Sequence, residues 1–106
     1  MDTVLSRIVD VIIRTLDPDT IILFGSRACG DAHENSDFDI CVLKKEYPQR
    51  RTIACTLYRA LYGVGAPVEL IIDTPATLRK YKDNPHLIYR EIARDGKIIY
   101  EKSHAG

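Results

Sequence analysis

Gly25-Ser26-Arg27-Ala28-Cys29-Gly30-Asp31-Ala32-His33-Glu34-Asn35-Ser36-Asp37-Phe38-Asp39 joins two short apolar runs, and its reading decides the fold. Upstream, Thr20-Ile21-Ile22-Leu23-Phe24 is apolar and rich in β-branched residues. It reads as a buried strand ending at a tight Gly25-Ser26 turn. Arg27 to Cys29 fits one helical turn closed by Gly30, and Asp31 to Ser36 is polar loop. Downstream, Asp37-Phe38-Asp39-Ile40-Cys41-Val42-Leu43 reads as a second strand, with Lys44 and Lys45 at its exit.

The remaining chain extends this pattern in both directions. Asp2 and Thr3 are N-cap types. Val4, Leu5, Ile8, Val9, Ile12, Ile13 and Leu16 then recur at helical spacing, up to a stop at Asp17-Pro18-Asp19. Pro48 suits the first turn of a helix whose apolar face is Ile53, Ala54, Leu57, Ala60 and Leu61, with Gly63 or Gly65 ending it. Val68 to Asp73 is a third strand. Thr74-Pro75 opens a polar helical stretch to about Lys82, and Asn84-Pro85 starts another helix with Leu87, Ile88, Ile92 and Ala93. After an Asp95-Gly96 turn, Lys97-Ile98-Ile99-Tyr100 is a last short strand. The expectation is one mixed α/β (α+β) domain over residues 1–106, a small mixed sheet with helices packed on it.

Composition narrows the function classes. The chain has 106 residues, 45% hydrophobic and 28% charged, which suits a folded domain rather than a disordered one. Fifteen basic and fifteen acidic residues give a formal net charge of zero, which excludes a basic nucleic-acid coat. No run approaches the roughly 18 apolar residues of a membrane helix, and the first residues carry no signal-peptide pattern. Three cysteines, Cys29, Cys41 and Cys55, form no disulfide framework, so a cytoplasmic location with reduced thiols is expected.

The chemistry concentrates in the opening segment. Glycine lets a ligand approach the backbone, and free amides at a helix start, joined by the Ser26 hydroxyl, donate to phosphate oxygens. Asp37 and Asp39 share one face of their strand, with Phe38 opposite. Two carboxylates held so close repel unless protonated or bridged by a cation, and oxygen-only ligands suit Mg²⁺ or Mn²⁺. Glu69 and Asp73 share a face of the third strand. Glu69 lies inside the apolar run, where an unpaired charge is costly, whereas Asp73 sits at the end beside Thr74-Pro75 and suits a turn or cap. Glu69 is therefore the preferred third acid. Read singly, Gly-Ser is a common turn pair, and two acids can begin a strand on its wet face. Together, Gly-Ser, ten residues, then Asp-x-Asp arises by chance in on the order of one in a thousand chains of this length.

Other readings are weaker. Gly25-x₄-Gly30 has the first spacing of a P-loop, but Asp31 stands where the phosphate-binding lysine is required. Cys29, His33, Cys41 and Cys55 have no zinc-ligand spacing, and Cys41 and Cys55 lie in apolar stretches as core residues. Tyr58 and Tyr62, one turn apart, are expected half-buried in packing. Lys44, Lys45, Arg50 and Arg51 read as a solvated basic face.

Gly25-Ser26-x₁₀-Asp37-x-Asp39 resembles the signature of the DNA polymerase β-like nucleotidyltransferase superfamily. The wording around it is similar to the minimal nucleotidyltransferase branch, densely from Ile21 to Leu43. Arg90 to Glu101 also looks like that family's final helix and strand. Cys29 stands where many members have Arg or Lys, and Glu69 where aspartate is usual. The resemblance implies two-metal transfer of AMP from ATP, with Asp37 and Asp39 bridging both Mg²⁺ ions and Glu69 holding the one that activates the incoming hydroxyl. Gly25 and Ser26 would cradle the outer phosphates. Arg27 would either help there or salt-bridge Asp31 or Glu34. Similar proteins act as antitoxins that adenylylate a tyrosine of a HEPN-domain toxin, which implies a toxin partner, a hetero-oligomer and no direct nucleic-acid contact. The alternatives the family offers are an antitoxin that neutralises by binding alone, and transfer to a small-molecule hydroxyl. Small-molecule enzymes of this kind add a further domain, for which 106 residues leave no room.

Overall fold

Leu5, Ile8, Val9 and Ile12 form the buried stripe of helix α1 (Thr3–Leu16). The computed structural model describes residues 3–30, 37–47 and 49–102. The expected roles of Asp2, Pro48, Asp31, His33 and Glu34 fall outside these residues. Helix α1 stops at Asp17, whose φ of 51° is a left-handed conformation that a short polar side chain tolerates, with Pro18 following. Lys44 donates from Nζ to the carbonyls of Leu16 (3.1 Å) and Asp17 (3.0 Å), satisfying acceptors at the helix end.

Further along the chain come β1 (Thr20–Phe24), α2 (Ser26–Cys29), β2 (Phe38–Leu43), α3 (Arg50–Ala60), β3 (Val68–Asp73), α4 (Pro75–Tyr81), α5 (Ile88–Asp95) and β4 (Lys97–Glu101). The four strands form one sheet in the order β3-β2-β1-β4. β1 pairs antiparallel with β2 and β4, while β2 pairs parallel with β3 through the α3 crossover. The mixed α/β expectation is borne out.

The two central strands are apolar on both faces because both faces are covered. Ile21, Leu23, Phe38, Ile40 and Val42 pack with α1 and α3, around Ile8, Ile12 and Leu57. Ile22, Phe24, Cys41 and Leu43 point the other way and pack on Ile92 of α5, with Leu78 of α4 and Tyr89 alongside. Gly96 is the single residue between α5 and β4. A Cβ there would lie 2.3 Å from the Ile92 carbonyl oxygen and 2.6 Å from Ile22 Cγ2, so only glycine fits. No described helix is long and apolar enough to cross a membrane.

Several expectations need correction. Tyr58 and Tyr62 are exposed (46% and 93%), not half-buried, because Leu57 and Leu61 take the core side of α3. Tyr58 instead accepts a hydrogen bond at its hydroxyl from the Leu70 amide (3.0 Å), on β3 at the sheet edge. Cys55 and Ala60 are also exposed, while Cys41 is buried as expected. The last helix begins at Ile88 rather than at Asn84. Asn84 Oδ1 takes the His86 amide (2.9 Å), and this side-chain turn holds residues 84–87 out of the helix and leaves Leu87 exposed. The basic cluster is not simply solvated, since Lys44 caps α1 and Arg50 reaches Asp73 at 3.3 Å.

Candidate active site

β1 delivers the chain to Gly25 with φ 74° and ψ −156°, a conformation that side chains rarely adopt. The carbonyl of Gly25 accepts from the amides of Ala28 and Cys29 (3.1 and 3.2 Å), which folds residues 26–29 into α2. Gly30 closes it in a left-handed cap, donating to the Ser26 carbonyl.

β2 starts beside this turn. Asp39 pairs in register with Phe24 on one side and with Glu69 on the other. By strand alternation Asp37, Asp39 and Glu69 belong to the face that carries α4 and α5, and Phe38 to the opposite face. The Asp39 carboxylate lies against Gly25, and a Cβ at position 25 would be 2.2 Å from Asp39 Oδ2. Glycine is thus required here both by backbone conformation and by the approach of an acid.

The electrostatics are those of crowded carboxylates. Burial raises the Asp39 carboxyl above the ordinary range, and the negative charges of Glu69, Asp37 and Glu91 raise it further. Glu91, on α5, is a neighbour that no motif or spacing in the sequence singled out. It also lines an open cleft of about 460 Å³ along α5, with His86, Leu87 and Arg90. None of Gly25, Ser26, Asp37, Asp39 and Glu69 lines that cleft. Among the described residues, no three His, Cys, Asp or Glu side chains converge into a group that could hold a metal ion. The register brings Asp39 and Glu69 together, and Asp37 is close enough for its charge to act on Asp39.

Glu69 is exposed, contrary to the expectation of a charge inside an apolar run. β3 is an edge strand whose burial rises only toward its end at Ile72 and Asp73. Asp73 is the buried acid, at 3% exposure. Its Oδ1 accepts from the Thr74 amide (2.9 Å) and pairs with Arg50, and its Oδ2 accepts a short hydrogen bond from the Tyr89 hydroxyl. Burial pushes this carboxyl upward, but the Tyr89, Thr74 and Thr77 hydrogen bonds and the Arg50 charge outweigh it and hold it below the usual range. Burial and the Asp73 contact push Tyr89 up to about 12. The Thr74 amide contact is the local turn role expected of Asp73; its ties from β3 to Tyr89 of α5 and to Arg50 at the start of α3 go beyond that expectation. It stands four residues, roughly 13 Å, along the strand from Glu69.

Arg27 stacks its guanidinium over the Phe38 ring, 3.8 Å from the centroid. Of the cysteines considered for zinc, Cys41 is buried and Cys29 and Cys55 are exposed.

The family model described as polymerase beta, nucleotidyltransferase matches residues 6–105. Protein adenylyltransferase MntA of Aphanizomenon flos-aquae is 32% identical over 87 residues, 77% of this chain and 56% of that protein. A Methanocaldococcus jannaschii protein provisionally named a protein adenylyltransferase is 34% identical over 88 residues, 78% of this chain and 58% of its own. The chain thus spans somewhat over half the length of these relatives. A crystal structure of a toxin–antitoxin with AMP-PNP superposes with a TM-score of 0.62 at 26% identity, covering 92% of this chain and 73% of that one. A Sulfolobus solfataricus structure, provisionally called a nucleotidyltransferase, shares the fold with a TM-score of 0.55 at 16% identity, over 96% of this chain and 90% of its own. With the match running through nearly every element that frames Gly25, Asp39 and Glu69, the chain belongs to the polymerase beta nucleotidyltransferase family.

Proposed function

We propose that residues 1–106 form a minimal nucleotidyltransferase domain of a cytoplasmic antitoxin, which transfers AMP from ATP to a tyrosine hydroxyl of a cognate HEPN toxin. The observation that carries this reading is the Asp39 carboxylate, laid against Gly25 at the mouth of the Ser26 turn and in register with Glu69. The names of the two adenylyltransferase relatives and of the toxin–antitoxin structure support it.

Asp37, Asp39 and Glu69 are the residues that would hold Mg²⁺ or Mn²⁺. Their donor atoms are all carboxylate oxygens, and the Asp39 carboxyl, raised first by burial and then by the charges of Glu69, Asp37 and Glu91, is one whose ionised form a divalent cation would stabilise. When bound, such ions neutralise the triphosphate and lower the pKa of the attacking hydroxyl. The chain's own residues do the rest. Gly25, without a side chain, admits the outer phosphates to the backbone, and Ser26 donates from its hydroxyl and amide. The toxin hydroxyl would attack the α-phosphorus, giving its proton to water on the Glu69 side, as the bond from the α-phosphorus to the bridging oxygen breaks and pyrophosphate leaves. Arg27 has its guanidinium over the Phe38 ring. Exposed Tyr58 and Tyr62 on and just after α3, and Leu87 and Ile88 at the start of α5, are the surfaces that would meet the toxin in a hetero-oligomer.

Co-expression with the product of the neighbouring gene, followed by intact mass measurement, tests the reading. The toxin should gain whole AMP units, and Asp39→Asn should abolish the gain. Neutralisation that survives Asp39→Asn without any mass change would overturn the enzyme in favour of contact alone.

A further inference from the structure

Phe38 and Asp39 are consecutive residues whose side chains leave β2 on opposite faces, and the turn after β1 touches both. On one face Gly25 is in contact with the Asp39 carboxylate, at a distance no side chain at position 25 would allow. On the other, the Arg27 guanidinium covers the ring of Phe38, which is 3% exposed and packs with the α1–α3 core. The turn and α2 therefore straddle the first residues of β2. β2 is itself fixed at that point by the Phe38 amide donating to the Pro67 carbonyl (2.9 Å) and by pairing on both sides.

We infer that Arg27 is a positioning residue, which acts through the Phe38 ring to clamp the Ser26 turn against the strand that carries Asp37 and Asp39. A four-residue helix has little stability of its own, since nucleation is unfavourable and short helices rely on tertiary contacts. The apolar anchor of α2 is Ala28, buried at 4% exposure. The Arg27 stack adds a second, at the residue next to Ser26. A planar guanidinium suits this role, because it stacks flat on a ring where an ammonium acts as a point charge. The stack lies on the face opposite the carboxylates, so the effect on a ligand at Ser26 is transmitted through the position of the turn.

For its ligand the inference rests on the nucleotide-binding reading, while its geometry stands apart from it. Two measurements on the full chain decide it. In the ligand-free protein, Arg27→Met should speed amide hydrogen exchange at residues 26–30, with Arg27→Lys intermediate. In calorimetry with ATP and Mg²⁺, Arg27→Met should weaken binding by about fivefold, and Arg27→Lys should recover only part of that. Phe38→Leu should weaken ATP binding similarly, and the Arg27→Met/Phe38→Leu pair should be no worse than the weaker single variant. Should Phe38→Leu fail to fold, the Met and Lys variants at position 27 carry both measurements, because they leave the core intact. Unchanged exchange in Arg27→Met would overturn the clamp, and full ATP affinity in Arg27→Lys with loss only in Arg27→Met would overturn it in favour of a direct charge contact with the phosphates. A parent chain that binds no ATP would refute the nucleotide-binding reading instead, and the exchange measurement alone would then decide the clamp.

Discussion

Replacing Gly25 with alanine should damage stability and chemistry through two separable causes. The first is backbone strain. At φ 74° and ψ −156° a residue with a Cβ costs about 1–3 kcal/mol. For a domain of this size each kcal/mol lowers Tm by roughly 4–5 °C, so strain alone predicts a drop of roughly 5–15 °C. The second is the clash with Asp39. The new Cβ would sit 2.2 Å from Oδ2, where ordinary contact begins at 3.4 Å, so the carboxylate must swing away. Its Cγ at 3.1 Å and Cβ at 3.3 Å are also crowded, so the displacement involves the whole side chain. A shift of about 1 Å in a reacting group can cost about 10²-fold in rate. Gly25→Ala should therefore lose transfer far beyond what its lower Tm explains at a temperature where it is still folded. A stability cycle separates the causes. In an Asp39→Ala background the carboxylate is gone, so the penalty of Gly25→Ala should shrink to the strain component. Melting curves and an AMP-transfer assay are sufficient. Wild-type Tm and wild-type transfer in Gly25→Ala would refute the reasoning, and an identical Tm penalty in both backgrounds would refute the clash.

Asp37→Asn should abolish transfer while leaving Tm unchanged or slightly raised, because Asp37 is exposed and its charge opposes that of Asp39; unaltered transfer in mass spectrometry would remove it from the site. Glu69→Gln should suppress turnover more than ATP affinity, which single-turnover kinetics beside calorimetry can separate. Asp73→Asn should instead act on stability, costing roughly 1–3 kcal/mol at neutral pH through the broken Tyr89 and Arg50 contacts. The folded Asp73 carboxyl lies below the ordinary aspartate value of 3.8. Its contribution is therefore complete above that value and lost as pH falls below it through the lowered folded value, so parent and variant Tm should converge in acid. Gly96→Ala should destabilise the α5–β4 junction, since its Cβ would meet the Ile92 carbonyl, a backbone atom that cannot turn aside; an unshifted Tm would contradict this.

The legible parts of this protein are those in which one residue type can satisfy only one environment. Ile21 to Phe24 and Ile40 to Leu43 are apolar at every position, which fits only strands covered on both faces, and the sheet places them at its centre. Gly25 was marked by its position between strand and helical turn, and Asp37 and Asp39 by their period of two. What sequence could not supply was depth and lateral neighbours. Glu69 and Asp73 have the same strand parity, yet one is exposed and the other buried, because β3 is an edge strand that runs under α5 only toward its end. Tyr58 and Tyr62 were equally ambiguous, since helical spacing gives a shared face but not which face meets the core. Glu91 carries no local signal at all, because its relation to Asp39 exists only once Ile92 packs against β1 and β2. The same logic separates Asp39 from the other acids. It is held against a backbone position that cannot accept a side chain, so Gly25 and Asp39 specify each other, and the turn that would receive the nucleotide cannot be altered without moving the acid that faces it.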